Sequence, residues 1–142
     1  MTDHIRDLCD EYAADGYEVL SPALFDREHP GFECDYTGPE FERAVELARK
    51  LHPFDQSLAD AQTCIDALKA KGPVFMTGYC YGGSVTWAMA ARSGDLAAAS
   101  GAVRAGDALR QGVDHAAAEV GVDQAFDRFE GAEVFLAEGG GA

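Results

Sequence analysis

Positive charge is scarce in this sequence. Against 25 aspartates and glutamates stand 11 lysines and arginines, for a net charge of −14, and lysine occurs only at Lys50, Lys69 and Lys71. Such a chain repels the phosphates of nucleic acid and of anionic lipid, so neither is an expected partner. No apolar run approaches the roughly 20 residues of a membrane span. The opening Met1-Thr2-Asp3-His4 lacks the basic n-region of a secretory signal, and a cytoplasmic chain is the expectation. Cys9, Cys34, Cys64 and Cys80 form no CxxC pair, which argues against a zinc site and a disulfide framework alike. The histidines are scattered at positions 4, 29, 52 and 115 without metal-ligand spacing. His4, His29 and His52 fall at capping, loop and turn positions, where solvated histidines are common. Neither metal nor cofactor is expected.

What is present is ordinary for a folded protein: 47% hydrophobic and 10% aromatic residues over 142 positions, enough for one domain, residues 1–142, with one core. Ile5, Leu8, Cys9 and Tyr12 recur at helical spacing over 2–14, with Asp3 available as a cap and Gly16 past the end. Tyr17 to Leu20 reads as a short strand, and the polar stretch from Asp26 to Pro39 as a surface loop. The 3.6-residue period returns over 40–51 and 56–71, with Pro53 between them. Val74-Phe75-Met76-Thr77 is short and apolar, the pattern of a strand buried on both faces. A glycine-rich turn and a helix over 84–92 follow. Further on, 102–111 has no clear period, 116–129 suits a helix, 132–136 a last strand, and 138–142 a flexible end. This alternation predicts an α/β fold with a parallel sheet flanked by helices.

The chemistry points to Gly78-Tyr79-Cys80-Tyr81-Gly82-Gly83. A strand leading through such a turn into a helix is the setting of a nucleophile elbow, here with cysteine in the place of the usual serine. The central residue is forced into a strained conformation, and the flanking Gly78 and Gly82 let neighbouring backbone pass without a Cβ clash. A thiol at a helix N-terminus feels the positive end of the dipole, which favours the thiolate. The N–H of Tyr81 is the natural oxyanion donor. Glycine-rich phosphate cradles need GxGxxG or GxxxxGK[ST]. Here Cys80 stands in place of the middle glycine and no lysine follows Gly83, which disfavours nucleotide binding. A buried cysteine of merely structural use is the competing reading.

These residues resemble the dienelactone hydrolase (carboxymethylenebutenolidase) family, whose elbow is a G-x-C-x-G-G turn. The similarity extends to IRDLCDEYAADGYEV, SPALFDREHPG, the helix from Asp55 to Leu68 and PVFMTGYCYGGSVTWAMAAR, or about the first 101 residues. The resemblance implies an α/β-hydrolase fold and a hydrolase of a small ester or lactone that needs no metal or cofactor and works through a Cys–His–Asp triad. Cys80 is then the nucleophile. Gly112-Val113-Asp114-His115-Ala116 is similar to the family's G-x-x-D-H-A segment, which makes Asp114 the triad acid. The resemblance also places Arg43 and Arg49 on a helix that helps hold a substrate carboxylate, although a solvated face explains such arginines as well. Tyr79, Tyr81 and Trp87 surround the elbow, Tyr81 as a candidate acyl-pocket wall and Trp87 as core.

The family's histidine follows one further strand, where this chain reads Glu138-Gly139-Gly140-Gly141-Ala142. His115, the histidine that follows the elbow, is the candidate substitute base. The family's early strands, with a second oxyanion donor, and the apolar strand before Asp114 have no counterpart here. The expected sheet therefore lacks strands relative to the full family fold, and exposed edges would favour a homo-oligomer. The alternative to an enzyme is a catalytically silent relative acting as a structural or oligomerisation module.

Overall fold

The computed structural model describes residues 2–34, 37–102 and 133–138. Thr2 caps the first helix, α1 (Asp3–Ala14), its hydroxyl accepting from the Ile5 N–H; the cap is thus Thr2 and not Asp3. The helix ends as expected at Gly16: its N–H donates to Ala13 and the Tyr17 N–H to Tyr12, both at 3.1 Å, a Schellman closure. A three-residue strand, β1 (Glu18–Leu20), follows. Beyond the loop lies α2 (Pro39–Glu46), which runs on as a π-helical turn over Leu47–Leu51. Pro53 stops it and caps α3 (Phe54–Leu68). The remaining elements are β2 (Val74–Tyr79), α4 (Tyr81–Arg92), β3 (Leu96–Ala102) and β4 (Glu133–Glu138).

The four strands form one sheet in the order β1-β4-β2-β3. β2 and β3 are parallel and joined through α4, as a strand–helix–strand unit requires. β4 lies between β1 and β2 and runs antiparallel to both. The sheet is therefore parallel in its β2–α4–β3 unit and mixed as a whole. The last strand expected over 132–136 is β4. The helix expected over 116–129 lies outside the described residues.

The core forms where helices meet the sheet. Leu58, Ala61, Ile65 and Leu68 of α3 are buried, the last three fully, and their spacing makes one helical stripe. They join Val74 and Met76 of β2, Val85, Ala88 and Met89 of α4, Leu24, Phe25 and Leu47 in one cluster. The opposite face of β2 differs from expectation. Phe75 is 36% exposed, and Tyr17 meets its ring edge-on, with Tyr12 in turn against Tyr17. β2 thus buries one face and only partly covers the other. Surface ion pairs add ties across elements, Lys71 with Glu18 and Lys69 with Asp95, but exposed pairs contribute little stability.

β3, Leu-Ala-Ala-Ala-Ser-Gly-Ala, is poor in the branched and aromatic residues that favour strands. Its place is set by α4. The Trp87 indole N–H donates to the Gly101 carbonyl at 2.9 Å, and a Cβ at Gly101 would lie 2.4 Å from Trp87 Cδ1 and 2.9 Å from the Gly83 carbonyl oxygen. Gly101→Ala is accordingly expected to cost about 1–3 kcal/mol, read as a lower urea midpoint at unchanged m-value. An unchanged midpoint would mean that α4 and β3 do not approach this closely.

Candidate active site

Cys80 occupies the single residue between β2 and α4. Its backbone angles, φ 52° and ψ −114°, make it the only non-glycine residue with positive φ among those described. Neighbouring structure must enforce this strained conformation. The enforcing contact is backbone against backbone, since a Cβ at Gly78 would lie 2.4 Å from the Gly82 carbonyl oxygen and 2.6 Å from Thr86 Oγ1. Thr86 is fully buried, and its hydroxyl donates to that carbonyl at 2.9 Å. The glycine before Cys80, Gly78, is thus required in the way its spacing predicted, and Gly82 supplies the carbonyl that it passes.

The first intrahelical bond of α4 runs from the Ser84 N–H to the Cys80 carbonyl at 3.1 Å. The preceding N–H groups, Tyr81's among them, belong to the turn that a helix leaves without internal acceptors. Cys80 itself is partly exposed, and all four cysteines are thiols. At Cys64 burial, with help from Asp60, pushes the thiol up.

Topology places more of the chain at this end of the sheet. Tyr79 is in register with Ala102, where β3 ends, and with Glu133, where β4 begins. β3 thus ends and β4 begins beside the residue that precedes Cys80. Asp114 and His115 lie between these two points in the sequence, outside the described residues.

Arg43 is placed apart. It is exposed, pairs with Glu46 at 2.6 Å, and lines a cleft of about 390 Å³ with His29, Phe32, Glu33, Pro39 and Glu40. No residue of the elbow lines that cleft. Arg49 is exposed too. Among the described residues no group of His, Cys, Asp or Glu is arranged to hold a metal ion, and no helix is long and apolar enough to cross a membrane.

A buried polar line ends at the elbow, and two of its members, Glu28 and Ser57, carry no motif in the sequence. His52 is 5% exposed, not a solvated turn residue. The π turn delivers it inward, its N–H donating to the Leu47 carbonyl at 2.9 Å. His52 Nδ1 lies 2.9 Å from Glu28 Oε2 and Nε2 lies 2.9 Å from Ser57 Oγ. Ser57, fully buried, is in turn 2.9 Å from the Tyr81 hydroxyl. Phe25 and Phe54 wall the Tyr81 ring. A histidine just before a helix-starting proline, five residues ahead of a serine at the edge of the buried stripe of α3, was the signal available. Burial pushes the Tyr81 phenol above its ordinary range, partly opposed by the Ser57 hydrogen bond and reinforced by the Glu28 charge.

A strand, a strained turn and a helix on a sheet covered by helices define an α/β protein with its candidate site at the carboxyl end of a parallel strand pair. Comparison narrows the class. The sequence model of the dienelactone hydrolase family matches residues 1–132, and the chain belongs to that family, whose fold is the α/β-hydrolase fold. A protein of Synechocystis named "Putative carboxymethylenebutenolidase" is 31% identical over 93 residues, which is 61% of this chain and 37% of the relative. Proteins of the same name from Escherichia coli K12 and Salmonella typhimurium are 33% identical over 101 residues, 68% of this chain and 36% of theirs. These matches span a little over a third of each relative's length. No solved structure matches the chain.

Two outcomes follow from this geometry. Gly78→Ala is expected to destabilise the fold by at least about 1–3 kcal/mol, because the added methyl meets backbone that cannot swing aside; denaturant melts compared with an exposed control, Gly94→Ala, would read it. The second concerns pH. With its folded-state pKa raised, Tyr81 supports the fold fully below the unfolded value of about 10, and that support is lost as pH rises through the folded value. Stability above about pH 10 is therefore expected to fall less steeply in Tyr81→Phe than in the parent, Tyr12, also raised, retaining part of the slope.

Proposed function

We propose that this chain carries the nucleophilic centre of a hydrolase of small esters or lactones, with the Cys80 thiolate attacking the carbonyl carbon and the Tyr81 N–H receiving the developing oxyanion. The observation that carries the reading is the backbone of Cys80, a strained cysteine held at the N-terminus of α4 by two glycines in close approach. Strain of this kind persists only where surrounding structure over-determines it. It presents the thiol at the mouth of the turn, where the helix dipole favours its ionised form.

Attack forms a C–S bond and a tetrahedral intermediate, whose collapse expels the alkoxide or enolate and leaves a thioester; water then hydrolyses the thioester and restores the thiol. A base must take the thiol proton and return one to the leaving oxygen. Asp114 and His115 are proposed for the acid and base roles. β3 ends and β4 begins beside Tyr79, and Asp114 and His115 lie between these two points in the sequence, which supports this assignment, as does the family resemblance of the Asp114 segment. Tyr79 is proposed to border the acyl site. Arg43, in a separate cleft, is the weaker candidate for holding a substrate carboxylate. The relatives' names support a cyclic enol-lactone as the first substrate to try.

The test is hydrolysis of an activated aryl ester and of a dienelactone by the whole chain, together with alkylation of Cys80 by iodoacetamide as a function of pH. The expected result is turnover lost by about 10²-fold or more in Cys80→Ala, with an apparent thiol pKa below the reference of about 8.5. His115→Ala should lower turnover by about 10²–10⁴-fold while leaving Cys80 reactive toward iodoacetamide. Turnover that survives Cys80→Ala would overturn the reading.

A further inference from the structure

With Glu28 ionised and one proton on the His52 ring, donor and acceptor chemistry gives the line from Glu28 to Tyr81 a single direction. An ionised carboxylate only accepts, so His52 must donate from Nδ1 to Glu28. In the neutral imidazole Nε2 is then the acceptor, and the Ser57 hydroxyl must donate to it. The oxygen of Ser57 is left to accept, and the group facing it is the Tyr81 phenol. The chain thus runs Tyr81 O–H to Ser57, Ser57 O–H to His52, and His52 Nδ1–H to Glu28, with each proton placed. Four elements are joined by it: the loop after β1, the end of the π turn, the first turn of α3 and the first residue of α4.

From this we propose that Ser57 is a positioning residue for the elbow. By accepting the phenol proton it fixes the Tyr81 ring between Phe25 and Phe54. Because Tyr81 is the first residue of α4 and follows Cys80 directly, a fixed ring fixes the start of the helix and the N–H groups of its first turn. The connectivity of Glu28, His52 and Ser57 is that of an acid–base–nucleophile triad, yet Ser57 is fully buried and the His52 side chain has no exposure. No substrate reaches Ser57, and its hydroxyl acts through Tyr81. The part of this inference that concerns the oxyanion rests on the proposed hydrolase reading; the part that concerns Cys80 reactivity does not.

Ser57→Ala, Tyr81→Phe and the double variant, each as the whole chain, separate positioning from mere support. The measurement is the pH profile of Cys80 alkylation by iodoacetamide, resolved by site with mass spectrometry, with Cys64 as the internal control. Each single variant is expected to raise the apparent Cys80 pKa and to slow its alkylation at pH 7 by about threefold to tenfold. The double variant should add little, since both changes break one link. Ring ¹⁵N spectra of the parent should show His52 neutral with the proton on Nδ1.

An unchanged Cys80 profile in the folded variants would overturn the proposal, as would faster Cys64 alkylation in step with Cys80, the mark of general loosening. A His52 proton on Nε2 would overturn the direction of the line. Should Ser57→Ala fail to fold, Tyr81→Phe carries the test, because it leaves the Ser57 hydroxyl its acceptor on His52. Failure of the hydrolase reading is seen separately, as parent turnover that does not depend on Cys80.

Discussion

The close passage of Gly78 by the carbonyl of Gly82, with no room for a Cβ between them, is the constraint on which the rest of this molecule turns. It lets α4 begin one residue after β2 ends, and it forces Cys80 into a backbone conformation that an L-residue adopts only at a cost. The consequences spread outward in both directions along the chain. Immediate helix formation brings Val85, Ala88 and Met89 onto Val74 and Met76, and the far side of the same helix sets Trp87 against Gly101 and so locates β3. The strained turn and the parallel pair are therefore one construction.

Compensation for that strain comes from apolar packing and from polar groups in the interior. Burying hydroxyl and imidazole groups is unfavourable unless their hydrogen bonds are met. Here Ser57, His52 and the Tyr81 phenol satisfy one another and end on a carboxylate that keeps contact with solvent. Such a line specifies geometry more than it adds net stability, because each link has a direction and a length that apolar contacts lack. The site that results is a partly exposed thiol held between a rigid helix start and the carboxyl end of two parallel strands. The chain enters and leaves that end again at Ala102 and Glu133.

Much of this was legible in the residues. The period of α1, α2 and α3, the stop at Gly16, the glycines around Cys80 and the last strand were all read from local pattern, and the structure has each of them. What escaped was non-local. β3 is built of alanine, serine and glycine, so nothing in its own composition distinguishes it from a loop, and it is a strand because β2 and Trp87 hold it there. Phe75 read as core, yet the residue stays 36% exposed, with Tyr17 edge-on to its ring. His52 read as a surface residue because the π turn that carries it inward leaves no periodic trace.

The sequence by itself determined the family, the helices and the position of the strained cysteine, because those depend on residues close together in the chain: a helical stripe, a glycine two places away, a cap. Tertiary structure alone decided the direction of β4, the existence of β3 and the line from Glu28 to Tyr81. Those features join residues as far apart as Glu18 and Glu138, or Glu28 and His52. Their pairing depends on which surfaces meet once the chain is compact, and one-dimensional spacing carries no record of that.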